Sequence, residues 1–131
     1  MSNTNTLILN PKIPAFTAAG HHLLIDLWTK QNLDNIDYIE KTLRKCVTAC
    51  HATLLHIHVH HFSPHMGVSG VAVLAESHIS VHTWPEQGYA AFDVFMCGNT
   101  QPQNAVKILK QAFTPTHCKI QEIQRSATIK N

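Results

Sequence analysis

Apolar and polar positions change their period several times along this chain, and each change marks an element. His22-Leu-Leu-Ile-Asp-Leu-Trp28 reads as a first strand, preceded by residues 1–19, whose Asn, Thr and two prolines describe a loose arm. Asp34 offers an N-cap. From Asn35 to about Cys50 the apolar positions Ile36, Ile39, Leu43, Cys46, Val47 and Cys50 recur at helical spacing, one buried stripe on an amphipathic helix. Residues 52–62 then alternate with a period of two, Leu55, Ile57 and Val59 to one face and His56, His58 and His60 to the other, the pattern of a half-buried strand. Beyond the break at Ser63-Pro-His-Met-Gly67, residues 68–74, 78–83 and 89–96 read as three more strands. Pro102 opens a second helix with Ala105, Ile108, Leu109 and Ala112 inward, and a last strand runs from about Cys118 to Ile123.

The order β, α, several β, α, β predicts an α+β two-layer sandwich, an antiparallel-rich sheet with two helices on one face. Such a sheet leaves its other face without a partner. That face needs a partner to cover it.

Composition narrows the functional classes. At 131 residues with 44% hydrophobic, the chain suits a single domain, 1–131. The formal charge of +2, from 10 basic and 8 acidic residues without a basic cluster, gives no support for a nucleic-acid or anionic-membrane partner. No apolar run is long enough to span a bilayer, and Leu7-Ile-Leu9 is too short for a signal-peptide core, so a cytoplasmic protein is expected. In that compartment the four cysteines, with no CxxC pair among them, are expected as free thiols.

The chemistry concentrates in Leu74-Ala-Glu-Ser-His-Ile-Ser-Val-His-Thr-Trp-Pro-Glu86, where a Glu76-Ser77 bond lies in a strand-like pattern beside two histidines. A serine hydroxyl can attack the carbonyl of the preceding residue and convert the amide to an ester. Loss of the serine Cα proton then expels that ester by elimination, and the dehydroalanine left behind rearranges and hydrolyses to a pyruvoyl cap. That ketone is an electron sink no encoded side chain supplies.

Glu76-Ser77-His78-Ile-Ser-Val-His82-Thr-Trp-Pro-Glu86 and Gly88-Tyr-Ala-Ala-Phe-Asp-Val-Phe-Met-Cys97-Gly98, with Gly67-Val-Ser69-Gly70 and Gly20-His21-His22-Leu upstream, closely resemble the bacterial S-adenosylmethionine decarboxylase proenzymes. The resemblance spans about residues 20 to 124. It implies self-cleavage into residues 1–76 and 77–131, a covalent pyruvoyl group made from Ser77, a homodimer of cleaved chains, and S-adenosylmethionine as substrate. The product would be the aminopropyl donor for spermidine. Carried over residue by residue, Ser77 becomes the pyruvoyl group, Glu76 the new carboxyl terminus and His82 the base that takes the Ser77 Cα proton. Ser69 assists processing, Cys97 protonates the decarboxylated carbon, Phe62 stacks on adenine and Glu86 accepts from the ribose hydroxyls.

Taken alone, each residue has a plainer reading. Ser77 and Ser69 would be turn serines, His82 a surface histidine, Cys97 a small buried hydrophobe, Phe62 core and Glu86 a solvated acid. One steric difficulty is visible in advance: five residues separate Ser77 from His82, and odd spacing on a regular strand sends side chains to opposite faces. Either the strand starts after Ser77 or a bulge or bend re-aims one of them. Two rival functions stay open. The same self-processing could serve ornithine or arginine, which would require a carboxylate for the distal cation. Alternatively, His56, His58 and His60 could make a non-catalytic metal-binding module, although the resemblance implies no metal.

Overall fold

The computed structural model describes residues 18–64 and 66–127. The elements run β1 (Ala18–Trp28), α1 (Ile36–Ala49), β2 (Leu54–His61), β3 (Val68–Leu74), β4 (Ser77–Trp84), β5 (Tyr89–Met96), α2 (Asn104–Phe113) and β6 (His117–Ser126), with a short 3-10 turn at Pro85–Gln87 between β4 and β5. They form a single sheet in the order β2-β3-β4-β5-β1-β6, antiparallel at every pairing. The expected α+β two-layer sandwich is the observed one. The arm expected over residues 1–19 lies outside the described residues, apart from Ala18 and Ala19, which open β1.

Strand alternation divides the sheet into two faces. Leu23, Ile25 and Leu27 of β1, Ala72 and Leu74 of β3, Ile79 and Val81 of β4 and Ala90, Phe92, Val94 and Met96 of β5 are buried together with Ile39, Leu43, Cys46 and Val47 of α1 and Ala105, Leu109 and Phe113 of α2. The period-two and helical stripes of the sequence therefore meet in one core. The helices are also tied to each other by polar contacts: the Tyr38 hydroxyl donates to the Ala112 carbonyl at 2.6 Å, and the Cys46 thiol to the Ala105 carbonyl at 4.0 Å.

Three local expectations need correction. Asn35, not Asp34, caps α1: its backbone is extended (φ −100°) and its side chain accepts from the Tyr38 N–H at 3.0 Å. Both types suit a cap, and the residue three before a free amide of the first turn is the one that reaches it. The second helix starts at Asn104, two residues after Pro102. Leu55 does not share a face with Ile57 and Val59. The β2–β3 register shifts between Leu54 and His56, so Leu54 turns inward and Leu55 is left 64% exposed.

Gly67 and Gly70 are required by close approach. A Cβ on Gly67 would fall on the Thr83 carbonyl, and one on Gly70 would stand 3.0 Å from the His58 carbonyl oxygen. Both glycines let the β2–β3 segment lie tightly on its neighbours.

Candidate active site

The β3–β4 connection is a two-residue turn. Leu74 pairs with Ser77 across the ladder, leaving Ala75 and Glu76 at the tip. Tight two-residue hairpins usually place glycine or asparagine at positive φ within the tip, because that twist matches the flanking strands. Here neither tip residue has positive φ, and Ser77 carries it instead, at +146°. A side chain held there costs of order 1–3 kcal/mol, which the surroundings must offset.

Two sets of hydrogen bonds hold this turn from either side. The Glu76 carbonyl oxygen, one half of the Glu76-Ser77 peptide, accepts from the Cys97 backbone N–H at 3.2 Å and from the Cys97 thiol at 3.2 Å. On the other side the Glu76 carboxylate accepts from the Thr53 N–H at 2.9 Å and from the Thr53 hydroxyl at 3.3 Å, while the Ala75 N–H donates to the Thr53 carbonyl at 2.9 Å. Cys97 is half-buried just beyond β5, whose last residue, Met96, pairs with Ser77. Ser77, Glu76 and Cys97 are thus one cluster, brought together by the β3–β4 turn and the end of β5.

The remaining candidates gather at the opposite end of the same strands. Ser69 stands directly across the ladder from His82. The His82 ring lies 6.1 Å from Phe62 and 6.2 Å from Trp84, and Phe62 meets Trp84 edge-on at 6.5 Å. Trp84 stacks on Tyr89 at 5.2 Å, and Tyr89 meets Trp28 at 5.4 Å, so an aromatic row crosses this end of the open face. Phe62 is 47% exposed rather than a core residue, and Glu86 is exposed in the 3-10 turn that follows Trp84.

The parity problem of Ser77 and His82 is not relieved within one chain. β4 begins at Ser77, and its pairings with β3 and β5 run without a register shift, so neither a later strand start nor a bulge intervenes. Ser77 shares its register parity with buried Ile79, Val81 and Thr83; His82 shares the open face with His78, Ser80 and Trp84. Five residues of strand separate them by about 16 Å at the usual rise.

Two further features were not legible beforehand. Trp84 lay inside the informative stretch without a role, although its i+2 relation to His82 was the signal that they share a face. Thr53 carried no signal at all, being 23 positions from Glu76 in sequence. Between the two clusters the open face holds polar pairs: His22 Nε2 lies 3.1 Å from Asp93, whose other oxygen accepts from Ser80 at 3.1 Å, and the Tyr89 hydroxyl donates to Asp26 at 2.6 Å. The hydrogen bond to Asp26, then burial and the Asp26 and Asp93 charges, push the Tyr89 phenol up to about 12. Burial pushes the Cys50 thiol up to about 11 and the Cys46 thiol well above the ordinary range, which suits both to the core and not to chemistry. His58 and His60 lie with ring centroids 5.1 Å apart, yet among the described residues no three His, Cys, Asp or Glu side chains converge as a metal site.

The sequence profile described as S-adenosylmethionine decarboxylase matches residues 21–126, which is most of the chain and includes both clusters. The chain belongs to this decarboxylase family. A protein named S-adenosylmethionine decarboxylase proenzyme from Thermomicrobium roseum is 42% identical over 111 residues, covering 84% of this chain and 96% of that protein. The proenzyme of the same name from Methanococcus aeolicus is 48% identical over 113 residues, with the same coverage of 84% and 96%. The crystal structure of the adenosylmethionine decarboxylase from Aquifex aeolicus VF5 superposes with a TM-score of 0.76 at 32% identity, over 88% of this chain and 97% of that one. Membership of the decarboxylase family thus rests on sequence and fold over nearly the same span.

Proposed function

We propose that this chain is a proenzyme that cuts its own Glu76-Ser77 bond and then, as a carboxy-lyase, decarboxylates S-adenosylmethionine on the pyruvoyl group so formed. One observation carries the reading: the carbonyl of that bond is gripped by two Cys97 donors next to a strained Ser77. Family membership supplies the substrate class.

Self-cleavage follows from these groups. The Ser77 hydroxyl adds to the Glu76 carbonyl carbon, and the developing oxyanion takes the hydrogen bonds that Cys97 already makes. The C–N bond breaks as the amide nitrogen gains the hydroxyl proton, leaving an ester, and the positive φ at Ser77 is relieved when the chain is no longer continuous there. His82 then removes the Ser77 Cα proton; the Cα=Cβ bond forms, the Cβ–O bond breaks, and Glu76 leaves as a carboxylate. Tautomerisation and hydrolysis release ammonia. The products are chains of residues 1–76 and 77–131.

The pyruvoyl ketone supplies an electron sink for the decarboxylation. Cys97 returns a proton to the substrate carbon from its half-buried thiol. Phe62 and Trp84 offer aromatic faces to adenine, and Glu86, one turn on, accepts from the ribose hydroxyls.

Because His82 and Phe62 lie a strand length from Ser77, we assign the working unit to a homodimer. The open face carries Trp28, Val73 and Ile123, at 37%, 39% and 46% exposed, an apolar surface suited to a second copy. A two-fold contact that reverses strand direction lays the turn end of one copy over the aromatic end of the other. A cytoplasmic location accords with this chemistry. Among the described residues no helix is long and apolar enough to cross a membrane.

Carbon dioxide release from carboxyl-labelled S-adenosylmethionine, set beside labelled ornithine and arginine, tests the activity. Release from S-adenosylmethionine alone is the expected result. Faster release from either amino acid would transfer the chain to another substrate class.

A further inference from the structure

We infer that Thr53 is a positioning residue for self-cleavage, acting through Glu76; the inference rests on the proposed scission of the Glu76-Ser77 bond. The turn that presents this bond has no glycine or asparagine at its tip and no positive φ there, so its conformation is not one the tip residues favour by themselves. It is held from outside. Cys97 grips the scissile carbonyl from the β5 side. Thr53, in the segment that leads into β2, meets the tip with three hydrogen bonds, giving its N–H and hydroxyl to the Glu76 carboxylate and taking the Ala75 N–H on its carbonyl.

The two grips act on the same residue at opposite ends. Fixing the carboxylate of Glu76 restricts rotation of the residue that carries the carbonyl, and so keeps that carbonyl on the Cys97 donors where the oxyanion will form. Preorganised donors are effective only if the accepting atom is held at their distance. Thr53 bonds the Glu76 carboxylate and the Ala75 N–H, whereas the scissile carbonyl takes its hydrogen bonds from Cys97, so the effect of Thr53 is confined to alignment for the acyl shift. The acid at position 76 therefore has a use in the uncut chain: alanine there would leave Thr53 without a carboxylate to hold.

The test follows processing of freshly made full-length chain by intact mass for the wild type, Thr53→Ala, Thr53→Ser and Glu76→Ala. Loss of charge-assisted hydrogen bonds that align the reacting carbonyl predicts processing about tenfold slower in Glu76→Ala and about threefold slower in Thr53→Ala. Thr53→Ser keeps the hydroxyl and should process at close to the wild-type rate, a rescue that a loss of threonine packing would not give. Unfolding midpoints of the same variants, measured with Ser77→Ala added so that all chains stay uncut, should match that of Ser77→Ala alone. The slowed chains should resist hydroxylamine, because the block lies before the ester.

Wild-type processing in Glu76→Ala would overturn the inference. So would a slow Thr53→Ala that Thr53→Ser fails to restore, or one whose midpoint falls in the uncut background. A wild type that never cleaves would remove the self-cleavage reading itself, an outcome separate from any of these.

Discussion

The two ends of β4 are built on different principles. At the turn end, Cys97 holds the Glu76 carbonyl by two hydrogen bonds next to one strained residue, Ser77. At the other end, Phe62, His82, Trp84 and Tyr89 lie on an open sheet face in loose ring contacts of 5.2 to 6.5 Å, with Phe62 about half exposed. The first arrangement suits a reaction between groups already in place, and the second a surface that waits for a flat ligand or a second chain. On the proposed function, the difference teaches that a single copy holds the scissile bond and its carbonyl donors at one end, while the proposed base and substrate platform stand a strand length away at the other.

The strongest way to break that comparison is to separate the ends genetically. His82→Ala should form the ester yet fail to eliminate, so hydroxylamine should cut the chain at Glu76-Ser77 while untreated protein stays in one piece. Mixed with Ser77→Ala chains, it should process again, because each mixed dimer holds one intact Ser77 facing one intact His82. Absence of rescue in demonstrably mixed dimers would place both residues' work within one copy.

Cys97→Ala comes next in size. It removes the thiol but keeps the backbone N–H on the Glu76 carbonyl, so cleavage should continue at a reduced rate. Decarboxylation should fall about 10²- to 10⁴-fold for loss of a general acid. Comparing the fragment yield with the carbon dioxide release per pyruvoyl group separates the two effects.

How far the site was legible before the structure depends on the range of the contacts involved. The periods of two and 3.6 located every strand and both helices, because burial on one face writes itself along a contiguous segment. The parity conflict between Ser77 and His82 was equally visible, being a property of spacing alone, and the unshifted ladder preserves it. Pairing between segments was not visible. The bulge that turns Leu55 outward depends on the β3 partner, and the Thr53 grip on Glu76 joins positions 23 apart. Asn35 took the cap that Asp34 could have made, a choice between neighbours that only the backbone path decides. The roles of Ser69, His82, Phe62 and Glu86 came from resemblance, and geometry adds to it that all four share one end of the molecule.

At the aromatic end, Phe62→Ala and Trp84→Ala should each raise KM for S-adenosylmethionine, with little change in processing, since stacking on a base contributes about 1–3 kcal/mol. Equal losses in cleavage and binding would show that these rings support the fold instead. The smallest effect concerns Tyr89, which stacks on Trp84 at the aromatic end. Its phenol is raised to about 12 by Asp26, so between its ordinary value and that pH the folded chain keeps a proton the unfolded chain has lost. The associated stability is present below about pH 10, the ordinary tyrosine value, and is lost as pH rises through the folded value. Tyr89→Phe should flatten this alkaline slope in unfolding experiments, while the contribution of the buried Cys50 thiol, also raised, stays.

The most direct measurement is the intact mass of purified wild-type protein after incubation without any protease. The account predicts two species, residues 1–76 with an ordinary carboxyl terminus and residues 77–131 lighter by one ammonia than a fragment beginning with serine. A single full-length mass after prolonged incubation, or a downstream fragment that keeps its serine, would contradict it.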